Sequence, residues 1–299
     1  MIATIPSRSA GLRAWALSLL LVPAARAPAV AQPAAYDSAA VSVAGSGPAT
    51  YVLISGLVGG VAGFRRLRAV LVESGQRVIV VDPYRLSVDS TAVTFADLAR
   101  RVDAVLAHYG VDSARVVGHA HGAGVALRLA SNHPRRVSAL YFLDVGALAA
   151  NRTKVFSASL RLLPYVVRIP GGRAFVRAQF LRRLRQNAAH QEWLDSTTQR
   201  LYTDPVFAHS TQVVAMAGRL AQAREPDSIP AVVARVHVPV TVLLGDVPHP
   251  SQPDPGEVEA LAALGHLLHV EHLAGVGHFP HEEVPAQVAR LLLRPRRDD

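Results

Sequence analysis

The sequence VGHAHGAG at residues 117–124 is the strongest indication of this chain's fold, because two glycines four residues apart separate a predicted strand from a predicted helix. The β-branched run RVV at residues 115–117 leads into it, and the apolar residues 123–131 that follow are typical of a helix. Gly118 and Gly122 permit a sharp strand-to-helix turn that exposes the residue between them above the sheet. That residue is Ala120.

Strands and helices alternate on both sides of this turn. The sequence predicts further strands at residues 40–43, 51–54, 77–81, 139–143, 239–244 and 267–270, and helices at 64–71, 94–110, 257–264 and 283–293. Strands that are apolar on both faces and alternate with amphipathic helices indicate a mostly parallel central sheet with helices on both faces. The fold class is therefore α/β.

The alternation stops between residues 145 and 235, where the sequence is helical, rich in arginine and without a recognisable strand. We expect an α/β core at residues 32–144 and 236–299, and a helical cap insertion at 145–235. Arginines and a stripe of apolar residues share this segment, the stripe being Val176, Phe180, Leu181 and Leu184. Two interpretations stay open: a cap helix with solvated arginines, or a weak contact with an anionic membrane surface.

The N terminus has the features of an export signal. Arg8 and Arg13 precede a short apolar run at residues 15–22, and the small residues of AVA at 29–31 suit a cleavage site. We expect residues 1–31 to be a signal peptide and the protein to be exported, to a periplasm or out of the cell, with an uncleaved anchor as the alternative.

Composition excludes some chemistry. The 299 residues include no cysteine, so disulfides and a cysteine nucleophile are excluded. The formal net charge is +9, yet Lys154 is the only lysine. Because nearly all of the positive charge is arginine, it reflects coding bias as much as binding, and we expect no nucleic-acid partner.

In this context the glycine turn resembles the nucleophile elbow of the α/β-hydrolase superfamily. LISGL at residues 53–57 resembles the oxyanion-loop strand of that family, and GVGHFPHE at 275–282 resembles its catalytic-histidine loop. The resemblance covers about residue 49 to the C terminus. It implies an α/β-hydrolase fold with a cap, no cofactor, and a small apolar or acyl-containing molecule as the ligand.

The resemblance also exposes a departure, since the family's nucleophilic serine corresponds to Ala120. A methyl group cannot attack a carbonyl carbon, so covalent catalysis is lost at this position. The resemblance implies that His278 survives as the base and that the backbone N–H groups of Leu57 and His121 form an oxyanion pocket. Ser55 could donate a hydrogen bond into the same pocket.

The acid that pairs with His278 has two candidates. Asp246 lies close to the family's usual position, and Asp144 follows the strand at 139–143, where some members carry their acid. The histidines near the turn also raise the possibility of a metal site. Its imidazole and carboxylate ligands would come from His119, His121, His249, His278 and Asp246. Residues two apart in a tight turn point different ways, so we expect no metal.

Three hypotheses about function follow. The first is hydrolysis of an ester or related acyl bond by water that His278 activates. The second is a non-catalytic protein that binds a small ligand under the cap. The third is cofactor-independent lyase or proton-transfer chemistry with His278 as the base.

Overall fold

The computed structural model of the chain describes residues 37, 39–86, 93–150, 161–252 and 255–294. The predicted signal peptide, residues 1–31, lies outside the described residues. Within the described ranges, no helix is both long enough and apolar enough to cross a bilayer.

Seven strands of the described residues form one sheet. They are β1 (Val41–Ala44), β2 (Thr50–Ile54), β3 (Arg77–Val81), β4 (Ala114–Ala120), β5 (Val137–Val145), β6 (Val240–Gly245) and β7 (Leu268–Leu273). Their order across the sheet is β1-β3-β2-β4-β5-β6-β7. The strand β1 pairs antiparallel with β3, and all the other pairs are parallel. The C-terminal ends of β2, β4, β5 and β6 therefore meet at one edge of the sheet.

The helices connect the strands and cover the sheet. They are α1 (Arg65–Glu73), α2 (Phe95–His108), α3 (His121–Asn132), α4 (Leu163–Val166), α5 (Gly172–Asn187), α6 (Ser196–Ala208), α7 (Ser210–Gln222), α8 (Ile229–Val233), α9 (Pro255–Ala260), α10 (Pro280–Glu283) and α11 (Pro285–Leu292). Short 3₁₀ turns precede α1, β5 and β7, at Gly60–Phe64, Pro134–Arg136 and Leu261–Leu267.

Alternate residues of the central strands pack into two separate cores. In β2, Val52 and Ile54 join the core formed with α2 and α3. Tyr51 and Leu53 join the core formed with α1 and α11 on the other face. Successive side chains of a strand point to opposite faces, so helices cover the sheet on both sides. The predicted class, a mostly parallel sheet with helices on both faces, is confirmed.

Helix ends follow local chemistry. The side chain of Thr94 accepts a hydrogen bond from the backbone N–H of Asp97 and the Asp97 carboxylate accepts one in return, so a capping box starts α2. The predicted final helix is divided into α10 and α11 at Val284. Pro285 disfavours the helical conformation in the residue before it, and Val284 has φ −134° and ψ 54°.

Between β5 and β6, the described residues 161–235 contain the helices α4 to α8 and no strand. We call these residues the cap; the domain boundaries remain predictions. The cap shares a small core with the histidine loop, which consists of the cap residues Leu181, Leu184, Trp193, Leu194 and Tyr202 together with Phe279. Phe279 follows His278 in the chain, so the predicted histidine loop packs into the cap.

Candidate active site

A strained turn holds Ala120 between β4 and α3. Its backbone angles, φ 48° and ψ −116°, are ones that alanine rarely adopts, at a cost of about 1–3 kcal/mol. The neighbouring glycines are required by close approaches. A Cβ at Gly118 would lie 2.5 Å from the carbonyl oxygen of Gly122, and a Cβ at Gly122 would lie 2.3 Å from that of Ile54. The glycine spacing therefore builds the sharp turn that the sequence predicts.

A β-bulge at the end of β5 delivers Asp144 to the same edge of the sheet. His119 pairs with Leu143 and Ala120 pairs with Val145, so Asp144 is an extra residue in β5. Its φ is 44°. Leu143 and Val145 consequently pack into opposite cores, although residues two apart in a regular strand share a face. The bulge thus redirects the carboxylate, a use of bulges that is common beside active sites.

Asp144 binds His278 directly. Its Oδ2 lies 2.5 Å from Nδ1 of His278, and the carboxylate is fully buried. Burial acts to raise the pKa of Asp144, but the imidazoles of His249 and His278 outweigh it and lower that pKa to about 2. The ionised carboxylate accepts a hydrogen bond from the N–H at Nδ1. Nε2 of His278 therefore carries the lone pair that can accept a proton.

Asp246, the other candidate acid, does not pair with His278 in the structure. Asp246 is exposed, and its Oδ1 accepts a hydrogen bond of 2.7 Å from the backbone N–H of Gly275. The Asp246 carboxylate therefore holds the backbone at the start of the histidine loop and does not contact the imidazole of His278. Of the two acids that the sequence offers, Asp144 is the one in contact with His278.

Three further histidines surround the pair and are held neutral. Burial, followed by the charge of His278, lowers the pKa of His119 to about 3 and that of His121 to about 4. Burial also lowers the pKa of His281 well below its ordinary value, with His119 as the next cause. Nε2 of His119 donates a hydrogen bond of 2.8 Å to the backbone carbonyl of His278, which positions the loop.

The cap clamps the backbone of the histidine loop. The N–H of His278 donates a hydrogen bond of 2.7 Å to the carbonyl of Asn187, the last residue of α5. The carboxylate of Glu283 accepts hydrogen bonds from two N–H groups of the cap, Ala189 and His190. It also accepts from two in the histidine loop, Gly277 and Phe279.

The contacts of Asn187 and Glu283 with the histidine loop are not predicted by the sequence. Glu283 follows the histidine loop directly, and that proximity is the one signal in the sequence that could have pointed to it. Asn187 lies in the cap, where no motif marks a contact with residue 278.

The two predicted pocket residues after β2 differ in their surroundings. Leu57 is partly buried and lines the large cavity together with Ala120 and His121. Ser55 is 2% exposed, and its Oγ has no hydrogen-bond partner among the described residues. The cavity lining includes Gly56 and Leu57 but not Ser55. Leu57 thus borders the same cavity as Ala120, whereas the buried Ser55 does not line it.

A cavity of about 2170 Å³ opens above Ala120 and His278. Main-domain loops form its floor, and α5, α6 and α7 of the cap contribute to its walls. Seven arginines and four acidic residues line it among the described residues. The lining therefore combines apolar cap residues with an excess of positive charge.

The described residues place one group of metal-ligand type at the site. Asp144, His249 and His278 each offer one atom within 4.8 Å of the others, and His249 lies 3.2 Å from Asp144 Oδ2. Two ligand atoms on a tetrahedral zinc are about 3.3 Å apart. Oδ2 of Asp144 and Nδ1 of His278 are 2.5 Å apart, which is a hydrogen-bond distance and too short for two ligands of one zinc ion. The set considered from sequence is not assembled, because Asp246 and His119 bond elsewhere.

Comparison with known proteins agrees with this fold. The family profile described as alpha/beta hydrolase fold matches residues 52–184. A protein of Variovorax paradoxus named "Putative carbamate hydrolase RutD" is 34% identical over 133 residues, 43% of this chain and 48% of that protein. A protein of the same name from Cronobacter turicensis is 33% identical over 122 residues, 39% of this chain and 45% of that protein. The matches thus span about half the length of these relatives.

Solved structures extend the likeness over most of the chain. A thermophilic esterase from Thermogutta terrifontis superposes with a TM-score of 0.63 at 23% identity, covering 85% of this chain and 90% of the esterase. The epoxide hydrolase CorEH gives a TM-score of 0.63 at 19% identity, covering 85% and 92%. These two enzymes differ in their reactions, so they establish architecture and not chemistry. From sheet order, glycine turn, family profile and superposition together, the chain has the α/β-hydrolase fold.

Proposed function

We propose that this protein hydrolyses a carboxylic ester or a related acyl bond, such as a carbamate, with a water molecule that His278 activates. The observation that carries the proposal is the buried Asp144–His278 pair, whose histidine lines the same cavity as Ala120. The fold usually carries its nucleophilic serine on the turn that Ala120 occupies here. A methyl group cannot form an acyl-enzyme, so attack by water is the route that remains.

The reaction begins with water in the space that a serine hydroxyl would fill beside Ala120. Nε2 of His278 takes one proton as the water oxygen attacks the carbonyl carbon, and the charge of Asp144 stabilises the imidazolium. The tetrahedral intermediate then collapses and the bond to the leaving oxygen or nitrogen breaks. His278 returns the proton to the leaving group, which gives an acid, an alcohol or amine, and a neutral imidazole.

Backbone N–H groups would stabilise the negative oxygen of that intermediate. His121 is the first residue of α3, so its N–H has no carbonyl partner within the helix. The partial positive charge at a helix N terminus strengthens such a donor. Leu57 would supply the second N–H from the loop after β2. Donors of this kind each contribute about 10²–10³-fold to the rate in enzymes that use them.

Ligand binding without turnover is the second candidate, and the missing nucleophile at Ala120 favours it. Ligand sites usually measure about 300–1,000 Å³, well below the volume found here. A large molecule could therefore be held under the cap whether or not His278 acts on it. Lyase or proton-transfer chemistry would use the same base, but no contact of the described residues favours it over hydrolysis.

The test compares four versions of the full chain on chromogenic esters of increasing acyl length: the parent, Ala120→Gly, Ala120→Ser and His278→Ala. We expect slow turnover in the parent and in Ala120→Gly, because neither has a nucleophilic side chain. His278→Ala should lose about 10²–10⁴-fold, as expected when a general base is removed. Ala120→Ser should react covalently with a fluorophosphonate probe, and the parent should not.

The outcomes separate the candidates. Turnover that is unchanged in His278→Ala, or a probe adduct on Ser55 of the parent, contradicts the water mechanism. Saturable binding of an ester by the parent without any turnover supports the binding protein instead.

A further inference from the structure

Four large apolar side chains within residues 162–175 of the cap are exposed. Leu162 is 57% exposed, Tyr165 68%, Ile169 59% and Phe175 60%. These four residues, here called the apolar patch, lie just before α4, on α4, on the turn after it and at the start of α5. Val43 and Val270 are the other large apolar residues exposed among the described residues, and they lie on β1 and β7. Exposed apolar residues that cluster mark interaction sites more often than scattered ones do.

Positive charge surrounds the apolar patch without any acid in the same stretch. Residues 161–191 contain seven arginines and no aspartate or glutamate. Arg161 is exposed directly before the patch, and Arg168 and Arg173 are exposed between its members. Arg182, Arg183 and Arg185 are exposed further along α5. Arg177 forms an ion pair of 2.7 Å with Asp204 on α6 of the cap.

The apolar patch is continuous with the mouth of the cavity. Leu162 and Phe175 belong both to the patch and to the cavity lining. The exposed arginines Arg182 and Arg183 also line the cavity. A molecule that left the surface at the patch would therefore enter the cavity that leads to His278. Continuity of this kind distinguishes the patch from an isolated sticky surface.

We propose that the apolar patch and its arginines dock this protein on an anionic phospholipid surface, so that the cavity receives amphiphilic molecules from that surface. Arginines on the polar side and aromatic and aliphatic side chains on the other are the features of a segment that lies in a bilayer interface. Phosphate headgroups match the guanidinium charges, and the apolar side chains enter the acyl boundary. The proposal goes beyond the proposed reaction and does not depend on it.

The test measures co-sedimentation of the full chain with vesicles of phosphatidylcholine alone and with vesicles containing phosphatidylglycerol. The apolar run at residues 15–22 could bind lipid by itself, so the readout is the difference between matched variants. One pair is Ile169→Glu with Phe175→Glu against Val43→Glu with Val270→Glu. A second pair is Arg168→Glu with Arg173→Glu against Arg135→Glu with Arg290→Glu, at exposed positions outside the cap.

We expect binding to the anionic vesicles that weakens as salt is raised, because exposed charges are screened. Each patch variant should lose at least about tenfold in partitioning, whereas each control should stay close to the parent. Circular dichroism and thermal unfolding confirm that all variants are folded. Equal binding by the patch variants and their controls overturns the proposal. A dimer in sedimentation velocity that the patch variants abolish, without lipid binding, also overturns it and assigns the patch to a second copy of the chain.

Discussion

At the scale of single residues, the turn between β4 and α3 keeps a geometry that its central side chain does not favour. Ala120 has φ 48° and ψ −116°, and its Cβ is the source of the strain. Replacing alanine by glycine usually destabilises a structured segment by about 0.5–1 kcal/mol, because the unfolded chain gains freedom. At this position the relief of about 1–3 kcal/mol of backbone strain should outweigh that cost.

We therefore predict that Ala120→Gly raises the free energy of unfolding by about 1 kcal/mol. Denaturant titration of the parent and the variant measures the change, with an unchanged dependence on denaturant concentration as the check on two-state behaviour. Ala130→Gly, inside α3, is the matched control and should destabilise the protein. Destabilisation by both substitutions would show that the turn at residue 120 is not strained.

At the scale of secondary-structure elements, the clamp between α5 and the histidine loop is the feature with the clearest consequence. Glu283 accepts hydrogen bonds from four backbone N–H groups, two on each side of the contact. We predict that Glu283→Ala lowers the free energy of unfolding by about 2 kcal/mol, because four backbone N–H groups, three of them in part-buried hydrogen bonds, lose their acceptor. Turnover of any ester that the parent hydrolyses should also fall, through kcat more than KM, since His278 is no longer held in place.

Two comparisons make that prediction specific. Glu283→Gln keeps an oxygen acceptor and should retain part of both stability and turnover. Glu259→Ala, at an exposed position of α9, removes the same charge and should change neither. A fall in stability without any change in kcat would show that Glu283 is structural and does not position the base.

The elements that the sequence predicts correctly are those encoded by local patterns. Strand positions follow from runs of apolar residues, and the turn at 118–122 follows from glycines that close approaches require. The choice between Asp144 and Asp246 was beyond such patterns. It depends on one extra residue in β5 that redirects a carboxylate, and on a contact between residues 134 positions apart in the chain. The role of Asn187 was hidden for the same reason, since its carbonyl reaches the loop through tertiary packing.

At the scale of the whole molecule, buried ionisable groups with opposite preferences set the response to acid. The pKa values of three histidines, His119, His121 and His281, are lowered in the folded chain. Below about pH 6.5 these histidines are therefore protonated in the unfolded chain but stay neutral in the folded chain. Their contribution to stability therefore falls as pH falls. Burial raises the pKa of Asp82 to about 6 and that of Glu282 to about 7, and these two contributions rise as pH falls.

Between pH 6 and pH 4.5, unfolding lets the three histidines bind about three protons and makes the two carboxyl groups release about two. About one extra proton is therefore bound on unfolding. We predict that the free energy of unfolding decreases by about 1.4 kcal/mol for each pH unit of acidification in this range. His119→Gln keeps a neutral hydrogen-bond donor and should reduce the slope to near zero. Denaturant titrations at several pH values measure both slopes, and equal slopes in the two proteins would contradict this account.

The hydrogen bond from the backbone of His278 to the carbonyl of Asn187 couples the roof of the cavity to its chemistry. Any graft that exchanges residues 161–235 for the corresponding helices of another protein would also have to supply a carbonyl at that location and two amides for Glu283. Specificity and reactivity consequently cannot be engineered as separate modules in this chain. A donor segment chosen only for the shape of its binding surface would leave the backbone of the histidine loop without this support.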